Sequence, residues 1–161
     1  MRSFKIDDLF TQVGEIQLSE DGLYYCYTAR VQTLRKGFVR LYYHGDRVCS
    51  LGVFRPSGDL LCCQGRIAKC RLDLPEEGSC FSLYEKPWQR QEIRLEDGLL
   101  PSAMACTTEC GFRIVLPRHA PLPEEILPFF CFLKPEMEEG LPCLTMEVDR
   151  QGRPIVPLCN R

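Results

Sequence analysis

The chain has 161 residues, with 20 Lys and Arg against 22 Asp and Glu and a formal net charge of −2. That balance is ordinary for one soluble domain or two small ones with an adequate core, and it excludes wholesale disorder. The opening Met1-Arg2-Ser3-Phe4-Lys5-Ile6-Asp7-Asp8 lacks the apolar stretch of a secretory signal, and no later stretch approaches a membrane span, so a cytoplasmic protein without membrane contact is expected.

Ile6, Leu9, Phe10 and Val13 follow Ser3 at three- and four-residue spacing and precede Gly14, which predicts a short N-terminal helix over residues 3–13. Ser19-Glu20-Asp21-Gly22 reads as a turn. Residues 23–31 read as a strand in which Tyr25, Tyr27 and Val31 oppose Tyr24, Cys26 and Thr28. From 38 to 63 three further strands are expected, interrupted at His44-Gly45-Asp46 and Pro56-Ser57-Gly58-Asp59. In the first of them Phe38, Arg40 and Tyr42 share one face and Val39, Leu41 and Tyr43 the other. Both faces carry apolar groups, so such a sheet is either covered on both sides or displays aromatic side chains to a partner.

Pro75-Glu76-Glu77-Gly78 then turns the chain. Residues 80–85 predict a strand with Phe81 and Leu83 inward, and 91–95 another with Ile93 and Leu95 on one side, ended by Glu96-Asp97-Gly98. The segment 99–110 is ambiguous, and 111–116 returns to a strand. Pro117, Pro121, Pro123 and Pro128 make 117–128 an extended crossing that holds one helical turn at most, at 123–127. Phe129-Phe130-Cys131-Phe132-Leu133 reads as a central strand, and 144–148 as pairing with 154–158 across Asp149-Arg150-Gln151-Gly152-Arg153. Closely spaced turns without helical crossovers predict an all-β fold, an antiparallel sandwich or partly open barrel built from hairpins, with the short N-terminal helix. A single β domain over 1–161 is the simplest organisation. Gly37-Phe38-Val39-Arg40-Leu41 and Gly111-Phe112-Arg113-Ile114-Val115 begin alike, but the match degrades at once, so a division into two β units near 87–101 is the lesser reading.

Eleven cysteines are an odd count in a chain without an export signal, which points to reduced thiols rather than a disulfide framework. Cys26, Cys49, Cys62, Cys63, Cys131 and Cys143 lie among aliphatic or aromatic neighbours, where a free cysteine packs as a small hydrophobe.

Few constellations carry chemistry. His44, next to Gly45-Asp46, would serve as the base for a nucleophile such as Cys49, but an exposed turn tip is poorly preorganised for catalysis. Cys106 and Cys110 have metal-like spacing with His119 nine residues on, yet the second pair of a zinc site is missing, because adjacent Cys62 and Cys63 point to opposite faces. No phosphate loop or nucleophile elbow is present. No cofactor and no catalytic residue are therefore expected, and a cysteine-dependent enzyme is the third reading.

Charge gives the positive hint. Residues 30–71 hold nine basic residues against two acidic ones, a local net of +7 that the rest of the chain offsets. These cations interleave with Tyr24, Tyr25, Tyr27, Phe38, Tyr42 and Tyr43. The leading expectation is a non-catalytic protein-interaction or assembly module whose binding residues are Arg30, Arg35, Lys36, Arg40, Tyr42 and Arg47 and whose partner is another protein. The rival is a single-stranded nucleic-acid-binding domain using the same basic aromatic segment, 30–71.

Overall fold

The computed structural model describes residues 1–35, 37–75, 80–86 and 88–156. The fold is all-β, and the chain divides into two compact units, Met1–Pro87 and Trp88–Arg161, each with its own sheet.

The first unit contains β1 (Arg2–Asp7), β2 (Gln12–Asp21), β3 (Tyr24–Val31), β4 (Arg40–His44), β5 (Val48–Val53), β6 (Arg55–Ser57), β7 (Leu60–Ala68) and β8 (Phe81–Ser82). They form one sheet in the order β5-β4-β8-β1-β2-β3-β7-β6, antiparallel except where β8 runs parallel to β1. Alternation in the sequence builds its core. Ile6, Ile16 and Leu18, then Tyr27, Ala29 and Val31, then Leu41 and Tyr43 all turn inward onto Cys63, Ile67 and Phe81. The two ends of the sheet, β5 and β6, are consecutive in the chain and separated by Phe54 alone. One bent stretch of backbone thus serves β4 first and β7 afterwards, and the sheet curls into a nearly closed barrel.

The expected N-terminal helix is absent: residues 3–13 belong to β1, a turn and the start of β2. Helix-like spacing arises because Ile6 closes a strand while buried Leu9 sits in a turn. That turn is fixed by the Asp8 N–H donating to the Thr11 carbonyl and by the Leu9 N–H donating to the Asp8 carboxylate. The period-two signal lay in Phe4 and Ile6, and in Ile16 and Leu18. His44 is the last residue of β4 rather than part of a turn, and Pro56 and Ser57 belong to β6, leaving Gly58-Asp59 as the turn. The expected strand over 80–85 is reduced to Phe81–Ser82, with Phe81 and Leu83 buried. Of the turn expected at 75–78, residues 76–78 lie outside the described residues.

The second unit is a five-stranded antiparallel sheet of β9 (Gln89–Leu95), β10 (Gly98–Thr107), β11 (Gly111–Pro117), β12 (Lys134–Glu138) and β13 (Leu141–Asp149), in the order β12-β13-β11-β10-β9. Ile93, Leu95, Leu100, Ile114, Met146 and Val148 line one face, against which Ile126 and Phe129 pack from a 3-10 helix, Glu124–Phe132. The strand expected at 129–133 is therefore helical. Ile126, Phe129 and Phe132 recur every third residue, which is the 3-10 period and would put them on one side, whereas Phe130 and Cys131 are exposed. Cys131 consequently fills no core. The strand not foreseen is β12. It pairs with β13 through Glu139-Gly140, both at positive φ (51° and 81°), as a two-residue hairpin turn requires. The return expected at 154–158 is limited to a Val148–Pro154 bridge and the Ile155 N–H donating to Glu147, with Pro157 and Leu158 outside the described residues. Among the described residues no helix is long and apolar enough to cross a membrane.

Candidate functional site

The barrel of the first unit is closed by side chains where its ladder stops. β6 pairs only with Leu60, Leu61 and Cys62 of β7, so Cys63 to Ala68 are paired on the β3 side alone, and β5 is paired on the β4 side alone. In β5 the register skips Leu51, because Leu41 lies opposite Gly52 and Tyr42 opposite Ser50. This bulge turns the Leu51 carbonyl to the Tyr27 hydroxyl, which donates to it at 2.7 Å. Two glycines leave room for that bond. A Cβ on Gly65 would stand 2.7 Å from the Tyr27 oxygen, and one on Gly52 2.7 Å from the Cys63 sulfur. Burial pushes the Tyr27 phenol and the Cys63 thiol upward in pKa, so both stay protonated at neutral pH.

Beside this seam lies an open cleft of about 760 Å³, walled by Val53, Arg55 and Ser57 on one side and Cys62, Gln64 and Arg66 on the other. Its lining includes two arginines and no carboxylate. Arg66 is engaged by Asp21 at 2.8 Å, whereas Arg55 forms no ion pair among the described residues.

The residues singled out in the sequence do not converge. Arg30 projects from β3 opposite Glu15 of β2, while exposed Arg40 and half-buried Tyr42 lie on β4 and Arg47 in the turn after it. Between β3 and β4 the sheet order places β8, β1 and β2. Arg35 is not on a binding surface at all. Its guanidinium is largely buried against Asp8, whose carboxylate also accepts from Thr33. Lys36 lies outside the described residues. Carboxylates of β2 take up other cations, Asp21 for Arg66 and Glu20 for Lys69. These two cations also lie over the rings of Tyr24 and Tyr25, 4.8 and 5.3 Å from the centroids. Each such contact covers a ring face that base stacking would need.

His44 is better ordered than a turn tip. Its Nε2 lies 2.6 Å from Ser82 Oγ and 3.0 Å from the Tyr84 carbonyl, and burial holds its pKa below the ordinary value. The Ser82 hydroxyl donates to the Tyr84 carbonyl and accepts from the Tyr84 N–H. Because that carbonyl only accepts, the consistent arrangement protonates Nε2, so the imidazole does not withdraw a proton from Ser82. Nor does it face Cys49, which pairs with Tyr43 on the opposite side of the sheet. The Cys49 thiol is pushed up by burial.

Cys106 ends buried near one end of the β10–β11 hairpin, Cys110 is exposed in its turn, and His119 follows the far end of β11. At about 3.3 Å per residue, the length of β11 keeps His119 from the cysteines. Among the described residues no group of three or more His, Cys, Asp and Glu has metal-holding geometry. A cluster unforeseen in the sequence surrounds Arg113, which bonds Glu136, Glu138 and Glu147 while Thr145 donates to Glu136 at 2.9 Å. Alternation in β11 and β13 places Arg113, Thr145 and Glu147 on one face, but the β12 pairing that adds Glu136 and Glu138 is long-range.

No family model matches this chain, and neither the curated proteins nor the solved structures hold a match to it.

Proposed function

We propose that this chain is a non-catalytic, cytoplasmic interaction module whose first unit, a partly open barrel, receives an extended segment of another protein by strand addition at the β5–β7 seam. The observation that carries the reading is the seam itself: two strand edges, β5 and the Cys63-to-Ala68 stretch of β7, lacking ladder partners and flanking the cleft. Unpaired edges offer backbone donors and acceptors that a further strand completes, with alternate side chains supplying specificity. The other edge is a poor receiver, since β6 is three residues long and carries Pro56.

The test is selection of binders from a library of displayed random octapeptides, followed by synthesis of the best binder with alternate backbone amides N-methylated. Strand addition predicts loss of binding when the methylated edge is the one facing the protein, together with slowed hydrogen exchange in whichever of β5 and β7 the peptide joins. Binders indifferent to methylation on either edge, or a library without binders, overturn it. Tight, salt-sensitive binding of single-stranded oligonucleotides in place of peptides would establish the rival use of segment 30–71.

A further inference from the structure

Across the first unit the charges are nearly balanced, twelve basic residues against eleven acidic. Three of its cations are held by carboxylates, Arg35 by Asp8, Arg66 by Asp21 and Lys69 by Glu20. Of the two arginines that line the cleft, Arg66 is thus taken, and Arg55 forms no ion pair among the described residues. It precedes Pro56 at the start of β6, its register partner Cys62 is uncharged, and no carboxylate lines the cleft that it walls. Its field reaches the seam, where it opposes the effect of burial on the Cys63 thiol. A guanidinium is a planar fork that takes a carboxylate through two parallel bonds, and such recognition is geometrically selective.

We infer that the cleft selects a carboxylate on the segment it receives, with Arg55 as the specificity-determining residue. This rests on the strand-addition reading and adds a chemistry to it: the incoming strand bears an Asp or Glu side chain at the position that lies beside Arg55. Exposed Val53, on the same wall, gives the neighbouring position an apolar contact.

The experiment uses the backbone-dependent binder from the octapeptide library, with the whole 161-residue chain as receptor. The expected result is an acidic residue enriched at one position, with a loss of affinity of about tenfold on either Glu→Gln in the peptide or Arg55→Gln in the protein, and no further loss when both are made. Arg94→Gln, at an exposed position of β9 in the second unit, should leave affinity unchanged. Amidating the peptide terminus should leave affinity unchanged; a loss on amidation places the selected carboxylate at the chain end and overturns the side-chain assignment. A backbone-dependent binder that needs no carboxylate, or one whose acid is insensitive to Arg55→Gln, overturns acid selection and leaves strand addition standing. A library with no backbone-dependent binder overturns both. Thermal unfolding of the Arg55→Gln protein at the wild-type temperature confirms that lost affinity is not lost structure.

Discussion

Arg35 in the first unit and Arg113 in the second are both drawn into their sheets, but they are satisfied differently. Arg35 has one carboxylate, Asp8, and both side chains are almost removed from solvent, at 7% and 4% exposure. Arg113 is a quarter exposed and is shared among Glu136, Glu138 and Glu147. A one-to-one buried pair has no substitute for a lost partner, and a three-to-one cluster has two. The Asp8–Arg35 pair is accordingly the place where a single charge change tells, and the Arg113 cluster the one where it is buffered.

The contrast is broken most directly by Asp8→Asn. It strands the Arg35 guanidinium and also weakens the bonds from Thr33 and Leu9, so a loss of about 3–5 kcal/mol is expected in urea unfolding. A loss below about 1 kcal/mol would mean that the pair is not buried as described. Comparable in size is Phe129→Ala in the second unit, about 3–5 kcal/mol for an emptied site against the sheet, with Phe130→Ala changing stability by about 0.5 kcal/mol or less. Equal effects of the two would restore the strand reading of 129–133. Glu147→Gln, which removes the most exposed of the three partners of Arg113, should cost only about 0.2–1 kcal/mol.

Smallest is the response to pH, and it differs between units. Burial lowers the His44 pKa, so the unfolded chain binds more protons as pH falls through about 6.5, and stability declines there with falling pH until the folded value is passed. His44→Gln should flatten that slope. Asp149 is held low by the backbone N–H of Arg153 and by that of Gln151, so its contribution is complete above the usual carboxylate range and is lost only in stronger acid. A pH titration of unfolding in wild type and His44→Gln separates the two windows.

What the chain made legible follows from period two. Val39, Leu41 and Tyr43 are buried while Phe38 and Arg40 are exposed, and Ile93 and Leu95 point into a core. Where apolar residues belong to both a strand and its turn, as at Ile6 and Leu9, spacing imitates a helix. Where a run is apolar throughout, as at 129–133, only the three-residue recurrence from Ile126 discriminates, and it was masked by the aromatic neighbours. The basic segment was real in composition, but its partners on β2 and at Asp8 come from residues outside it, so its surplus charge could not be read as surface. The seam was invisible for a related reason: it depends on β5 and β6 serving different neighbours, which no local pattern records.

The skipped residue in β5 has an implication for how this barrel tolerates genetic change. Substituting Leu51 keeps its carbonyl, because the acceptor for Tyr27 belongs to the main chain. Deleting one codon between Val48 and Val53 would instead give β5 and β4 matching lengths, straighten the strand and withdraw that acceptor. The curvature is thus stored as arithmetic in chain length, and frame-preserving deletions here should be far less forgiving than point replacements.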